Sequence, residues 1–140
     1  AIIENIPDCK TFIHGDCHMG NVMLQGKELM FIDLSCAGFG HPIFDLMSMY
    51  LTAACHQGEL LSSYTKEEAY HIWKVFLSAY LQTEDEAFLA KAEEQVAAFS
   101  SARFLLGLLR IPDLMKPEEI AIYKARACAL YDKGIEPLCF

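Results

Sequence analysis

Hydrophobic and polar positions change their period near residue 43. Before it, apolar residues come in short runs bounded by turn residues: Thr11–Ile13, Asn21–Gln25 and Glu28–Leu34. Gly26-Lys27 lies between the last two and predicts a β-hairpin, because glycine supplies the positive φ that a tight turn needs. His14–Gly20 and Ser35–Pro42 read as loops, and Gly38-Phe39-Gly40 within the second reads as a turn. Ala1–Lys10 reads as a connector with a turn at Pro7-Asp8.

From Ile43 onward the spacing is helical. Phe44, Met47, Tyr50, Leu51 and Ala54 share one face, and Gly58 is a stop signal. Thr65-Lys66-Glu67-Glu68 is a capping box. It opens a helix with Ala69, Ile72, Trp73, Phe76, Leu77 and Tyr80 as its apolar stripe. Thr83-Glu84-Asp85-Glu86 is a second box. It opens a longer helix through Phe88, Leu89, Ala92, Val96, Phe99 and Leu106, ended by Pro112. Pro117 starts a last helix that runs to about Lys133, with Gly134 as its cap. The expected fold class is α+β and mainly α-helical: a small β-hairpin or sheet carries two loops, and about four helices follow. One domain is expected over 1–140, with the polar motifs in 11–46 and a helical subdomain in 43–134.

Composition narrows the choice. Of 140 residues 54% are apolar, enough for a real core. No unbroken apolar run reaches the ~18 residues of a membrane span; the nearest, Ala97–Leu109, is interrupted by Arg103 and two serines. A net charge of −8 argues against nucleic acid, whose phosphates demand a basic face. The six cysteines contain no C-x-x-C, which disfavours a zinc knuckle or redox pair. Reduced thiols in a cytoplasmic protein are the expectation. The cysteines read as small buried hydrophobes; Cys17, in the first loop, is the one candidate for a reactive thiol, with nothing nearby in sequence to favour a thiolate.

The candidate chemistry lies at the strand ends. Asp16 and Asn21 are four residues apart in His14-Gly15-Asp16-Cys17-His18-Met19-Gly20-Asn21, and Asp33 follows the second hairpin strand. The pattern is H-G-D-x-x-x-x-N, then Ile32-Asp33, then Gly40-His41-Pro42-Ile43-Phe44-Asp45-Leu46. The kinase catalytic loop reads H-R-D-x-x-x-x-N. On these residues the chain resembles the aminoglycoside phosphotransferase and choline kinase group, which has a protein-kinase-like fold. It departs from the group's second block at His41, where Asp is more usual.

The resemblance implies the C-terminal catalytic lobe of an ATP-dependent kinase for a hydroxyl of a small molecule. Asp16 would be the base, and Asn21 and Asp33 would hold Mg²⁺ and through it the nucleotide. His14 and Asp45 would be structural supports of the loop. The acceptor, whether aminoglycoside-, choline- or sugar-like, is open, as is ATP against GTP. The N-terminal nucleotide lobe is expected to be missing: before His14 there is no glycine and Lys10 is the only lysine. The chain alone is therefore expected to be nearly silent. Two other classes stand beside this one. A metal-dependent hydrolase would use His14, Asp16, His18 and Asp33, with His41 and Asp45 nearby. A non-catalytic binding lobe would keep the fold without the transfer.

Overall fold

The computed structural model of the chain describes residues 6, 9–55, 63–108, 117–133 and 140. The architecture is α+β and mainly helical, with small antiparallel sheets followed by helices. Strand β1 (Thr11–Ile13) pairs with β4 (Gly38–Gly40), Phe12 opposite Phe39. Strands β2 (Val22–Gln25) and β3 (Glu28–Phe31) form the expected hairpin around Gly26, whose φ is +66°.

The sheets depart from the sequence reading in two ways. Gly38-Phe39-Gly40 is a strand rather than a turn, and the glycines explain why. A Cβ on Gly40 would come within 2.8 Å of the Ile13 side chain, so a bare backbone is what lets this edge lie against β1. The hairpin strands are also shorter at the ends away from the turn. Asn21 closes a 3₁₀ turn over Met19–Asn21, and Asp33 opens another over Leu34–Cys36.

Helix α1 (Ile43–Met49) buries Ile43, Leu46, Met47 and Met49. It passes into a π-turn over Tyr50–Ala54. The wider turn shifts the register of side chains that follow it. Ala53 is buried within it, whereas Ala54 of the expected face, like Phe44 and Tyr50 before it, packs against the core only in part. The expected stop at Gly58 lies outside the described residues.

Helix α2 (Lys66–Leu81) starts with the capping box read from the sequence. Thr65 Oγ1 accepts from the Glu68 N–H at 3.1 Å, and the Glu68 carboxylate accepts from the Thr65 N–H at 2.8 Å. Ala69, Trp73 and Leu77 are its buried stripe. Helix α3 (Glu86–Leu108) is capped differently from the expectation. Asp85, not Thr83, takes the free N–H groups, those of Ala87 at 3.0 Å and Phe88 at 3.1 Å. Thr83 instead accepts from the Asp85 N–H at 3.2 Å. A carboxylate two residues nearer the helix is the stronger acceptor for its positive end.

Leu89, Val96 and Phe99 of α3 meet α1 and α2 in one core with Cys17, Trp73 and Leu77. Helix α4 (Pro117–Lys133) lies against α3. The Leu106 side chain, the stop at Pro112 and the cap at Gly134 lie outside the described residues. Among the described residues, no helix is long and apolar enough to cross a membrane.

Candidate functional site

The loop between β1 and β2 makes a turn that only glycine fits. Gly15 has φ +79°, and a Cβ there would run into the backbone carbonyl of Cys36. The loop is tied down by polar bonds from distant elements. Asp45, buried on α1, accepts the His14 N–H at 3.0 Å through one oxygen and the Gly15 N–H at 2.7 Å through the other. Its carboxylate thus faces the loop rather than the first N–H groups of its own helix. Tyr80 of α2 donates its hydroxyl to the same carboxylate at 3.2 Å. Burial first, and then the Asp45 charge, push the Tyr80 phenol far above its ordinary value, so it stays a donor.

The cap of α1 falls to His41. Its Nδ1 accepts the Ile43 N–H at 3.1 Å, and its ring lies 5.8 Å from that of Phe140. Burial lowers the imidazole pKa, partly opposed by a hydrogen bond to the Phe140 backbone. A neutral ring nitrogen thus serves as an acceptor where the related motif more often has a carboxylate.

Asp16 itself remains partly open, its side chain 42% exposed. Ser48 Oγ on α1 lies 3.4 Å from Oδ1, and His18 Nε2 lies 3.5 Å from Oδ2. His18 Nδ1 accepts the Gly20 N–H at 3.0 Å, so the ring proton must sit on Nε2, facing Asp16. Asn21 is buried. Its amide nitrogen donates to the Asp16 carbonyl at 3.0 Å, which fixes the amide's orientation and leaves its oxygen as a spare acceptor.

The hairpin brings Asp33 to this end. The Ile32 N–H donates to the Asn21 carbonyl at 2.9 Å, and His14 Nε2 meets the Ile32 carbonyl at 2.9 Å. Asp33 sits just beyond, in the left-handed region at φ 58° and ψ 68°. Non-glycine residues held in that region cost roughly 1–3 kcal/mol and cluster at functional sites. Its Oδ1 accepts from the Ser35 hydroxyl at 2.6 Å. That hydroxyl, the Ser35 N–H and the nearby His14 and His18 rings hold the Asp33 carboxyl below its ordinary range.

Asn21 and Asp33 offer donors of the type that a magnesium ion takes. Two protein oxygens, one amide and one carboxylate, suit a hard cation that keeps several waters and takes the rest of its ligands from phosphate. They do not fit the hydrolase alternative. Among the described residues, no three His, Cys, Asp or Glu side chains gather to hold a metal. The rings of His14 and His18 are engaged with the Ile32 carbonyl and the Gly20 N–H. Cys17 is likewise no reactive thiol. It is buried in the core, and burial, then the charges of Asp45 and Asp16, push its pKa up to about 12.

The sequence reading missed three contributors. Tyr80 looked like one more apolar stripe residue, Ser48 carried no motif, and Arg103 was only an interruption in an apolar run. Arg103 in fact donates to the Gly15 carbonyl at 3.4 Å across the fold. An arginine inside an apolar helical stretch is the signal that pointed to it.

A family comparison bears on this arrangement. Residues 1–77 match the phosphotransferase enzyme family, more than half of the chain. The chain belongs to that family. No curated protein and no solved structure matches it.

Proposed function

We propose that the chain is the catalytic lobe of an ATP-dependent phosphotransferase that acts on a hydroxyl of a small molecule. The observation that carries this reading is that hydrogen bonds link the segments bearing Asp16, Asn21 and Asp33 at one loop-and-hairpin end. Asn21 bonds the Asp16 carbonyl through its side chain and the Ile32 N–H through its backbone, so it joins Asp16 to the turn bearing Asp33. Phosphoryl transfer asks a protein for positioning and charge stabilisation more than for covalent chemistry.

In this reading Asp16 accepts the proton of the acceptor hydroxyl as that oxygen bonds to the γ-phosphorus, and ADP departs. The Asn21 oxygen and the Asp33 carboxylate would hold Mg²⁺, which supplies positive charge to the phosphates. Asp45 and the buried His14 keep the loop in shape. The cytoplasm, where ATP is plentiful, is the proposed location. A partner lobe covering the phosphates is part of the proposal. Orientation supplies roughly 7–11 kcal/mol in well-ordered reactions, so the isolated chain should transfer little.

Calorimetric titration with ATP tests the reading. Binding should require Mg²⁺ and should weaken by at least 10-fold in Asp33→Ala. Nucleotide binding that is indifferent to both Mg²⁺ and Asp33 would sink the metal role. An unresponsive wild-type chain, together with a full-length protein that releases no ADP with amino-sugar, amino-alcohol or sugar acceptors, would sink the function.

A further inference from the structure

Arg103 lies partly buried on α3, and its guanidinium turns toward the loop that carries Asp16. Nη1 donates to the Phe44 carbonyl at 3.1 Å and to Ser48 Oγ at 3.2 Å, and Nη2 donates to the Gly15 carbonyl at 3.4 Å. Its hydrogen-bond partners among the described residues are therefore two carbonyls and a hydroxyl. Among the described residues no ion pair accounts for a cation in this place. Nor does the packing of α3, whose buried positions here are Val96, Phe99, Ser100 and Ser101.

Ser48 shows what the cation accomplishes. Its single hydroxyl proton has two acceptors at 3.4 Å: Asp16 Oδ1 and the Phe44 carbonyl one turn back. A helical serine ordinarily bonds back to that carbonyl. Here Arg103 already donates to the same carbonyl and also to the serine oxygen. The first contact weakens the competing acceptor. The second polarises the O–H, as charged donors and chained hydrogen bonds do. Both bias the proton toward Asp16. On the far side, His18 Nε2 faces the other Asp16 oxygen. The carboxylate is held from two sides, and one of those holds depends on a residue 87 positions further along the chain.

We infer that Arg103 is a positioning residue that fixes the rotamer of Asp16, acting through Ser48 and the Gly15 carbonyl. The phosphotransferase reading gives that rotamer its purpose, but the test does not need catalysis. Three-bond NMR couplings report the Asp16 χ1 angle in the chain as it stands. The wild type should show one rotamer. Ser48→Ala and Arg103→Met should both show averaged couplings, with backbone amide spectra confirming that the fold survives. Arg103→Lys, which keeps the charge, should fall between. The double variant should be no more averaged than the worse single, because both act on one path. If Arg103→Met does not fold, Ser48→Ala and Arg103→Lys carry the test.

A single Asp16 rotamer persisting in the folded variants would overturn the inference, as would averaged couplings in the wild type. In the full-length protein, Ser48→Ala should lower kcat roughly 10-fold and leave the nucleotide KM unchanged. A protein without transferase activity would refute the proposed function and leave the coupling result standing.

Discussion

Residues 11–41 leave Phe12, Leu24, Leu29, Phe31 and Phe39 largely exposed, whereas α1, α2 and α3 completely bury Ile43, Leu46, Trp73, Leu77 and Val96. The first region has two small sheets of two strands each, and such hairpins are marginal on their own in water. Its order comes from directional bonds that reach it from the helices: Asp45 to the His14 and Gly15 N–H groups, Arg103 to the Gly15 carbonyl, Ser48 to Asp16. The second region is held by apolar burial, with polar pairs such as Lys74–Glu93 at 3.3 Å on its outside. The contrast teaches that the loop proposed to bear the chemistry adds to its own local bonds a set of ties lent by the helices.

The sharpest break between the two regions comes at Asp16. Asp16→Asn in the full-length protein should lower turnover by roughly 10²–10⁴-fold, the usual range for losing a general base. Melting temperature and nucleotide affinity should barely move. Unchanged turnover in steady-state kinetics would remove Asp16 from the mechanism.

Trp73→Ala should do the opposite. Trp73 has no solvent exposure and stacks edge-on to Tyr50 at 5.1 Å. Truncating such a side chain costs roughly 3–5 kcal/mol. Because the loop borrows its order from the helices, chemical denaturation should show both regions lost together. A loop that survives the loss of the helices would refute the borrowing.

Asp45→Ala separates the two more finely. It strips the His14 and Gly15 N–H groups of their acceptor, at a cost of roughly 2–3 kcal/mol. Hydrogen exchange should accelerate at those two amides while amides within α3 keep their protection. Uniform acceleration would mean that Asp45 serves the whole fold.

The smallest effect lies at the seam. Cys17 belongs to the loop by sequence and to the core by packing. With its folded pKa raised to about 12 from a usual 9.0, the thiol stays protonated after the unfolded one has ionised. Its contribution to stability is thus complete below pH 9 and fades as the pH climbs toward 12. In native protein at mildly alkaline pH, mass spectrometry should find exposed Cys36 alkylated and Cys17 untouched. Rapid alkylation of native Cys17 would show that the seam opens.

Much of this was legible in the chain. The Gly26-Lys27 hairpin and the Thr65 capping box depend only on neighbours, and the spacing of Asp16, Asn21 and Asp33 is what makes them the proposed site residues. Long-range facts were not legible. Nothing local tells that the Asp45 carboxylate looks outward to Gly15 rather than to its own helix, or that Gly38–Gly40 finds β1. Thr83 and Asp85 competed for one helix start, and a pattern match cannot weigh an alcohol against a carboxylate. The π-turn at Tyr50–Ala54 displaces the core face by a wider winding that no apolar period encodes.

The ties on Gly15 also set an order of events in time. The motif residues are made early, yet the groups that hold them, Asp45, Tyr80 and Arg103, follow 30, 65 and 88 positions later. During synthesis from the N-terminus, the loop leaves the ribosome long before the arginine that reaches back to it. Non-local contacts of this kind close late, after helices have docked. A nascent chain halted before Arg103 would therefore carry every motif residue without the tie inferred to fix the Asp16 rotamer.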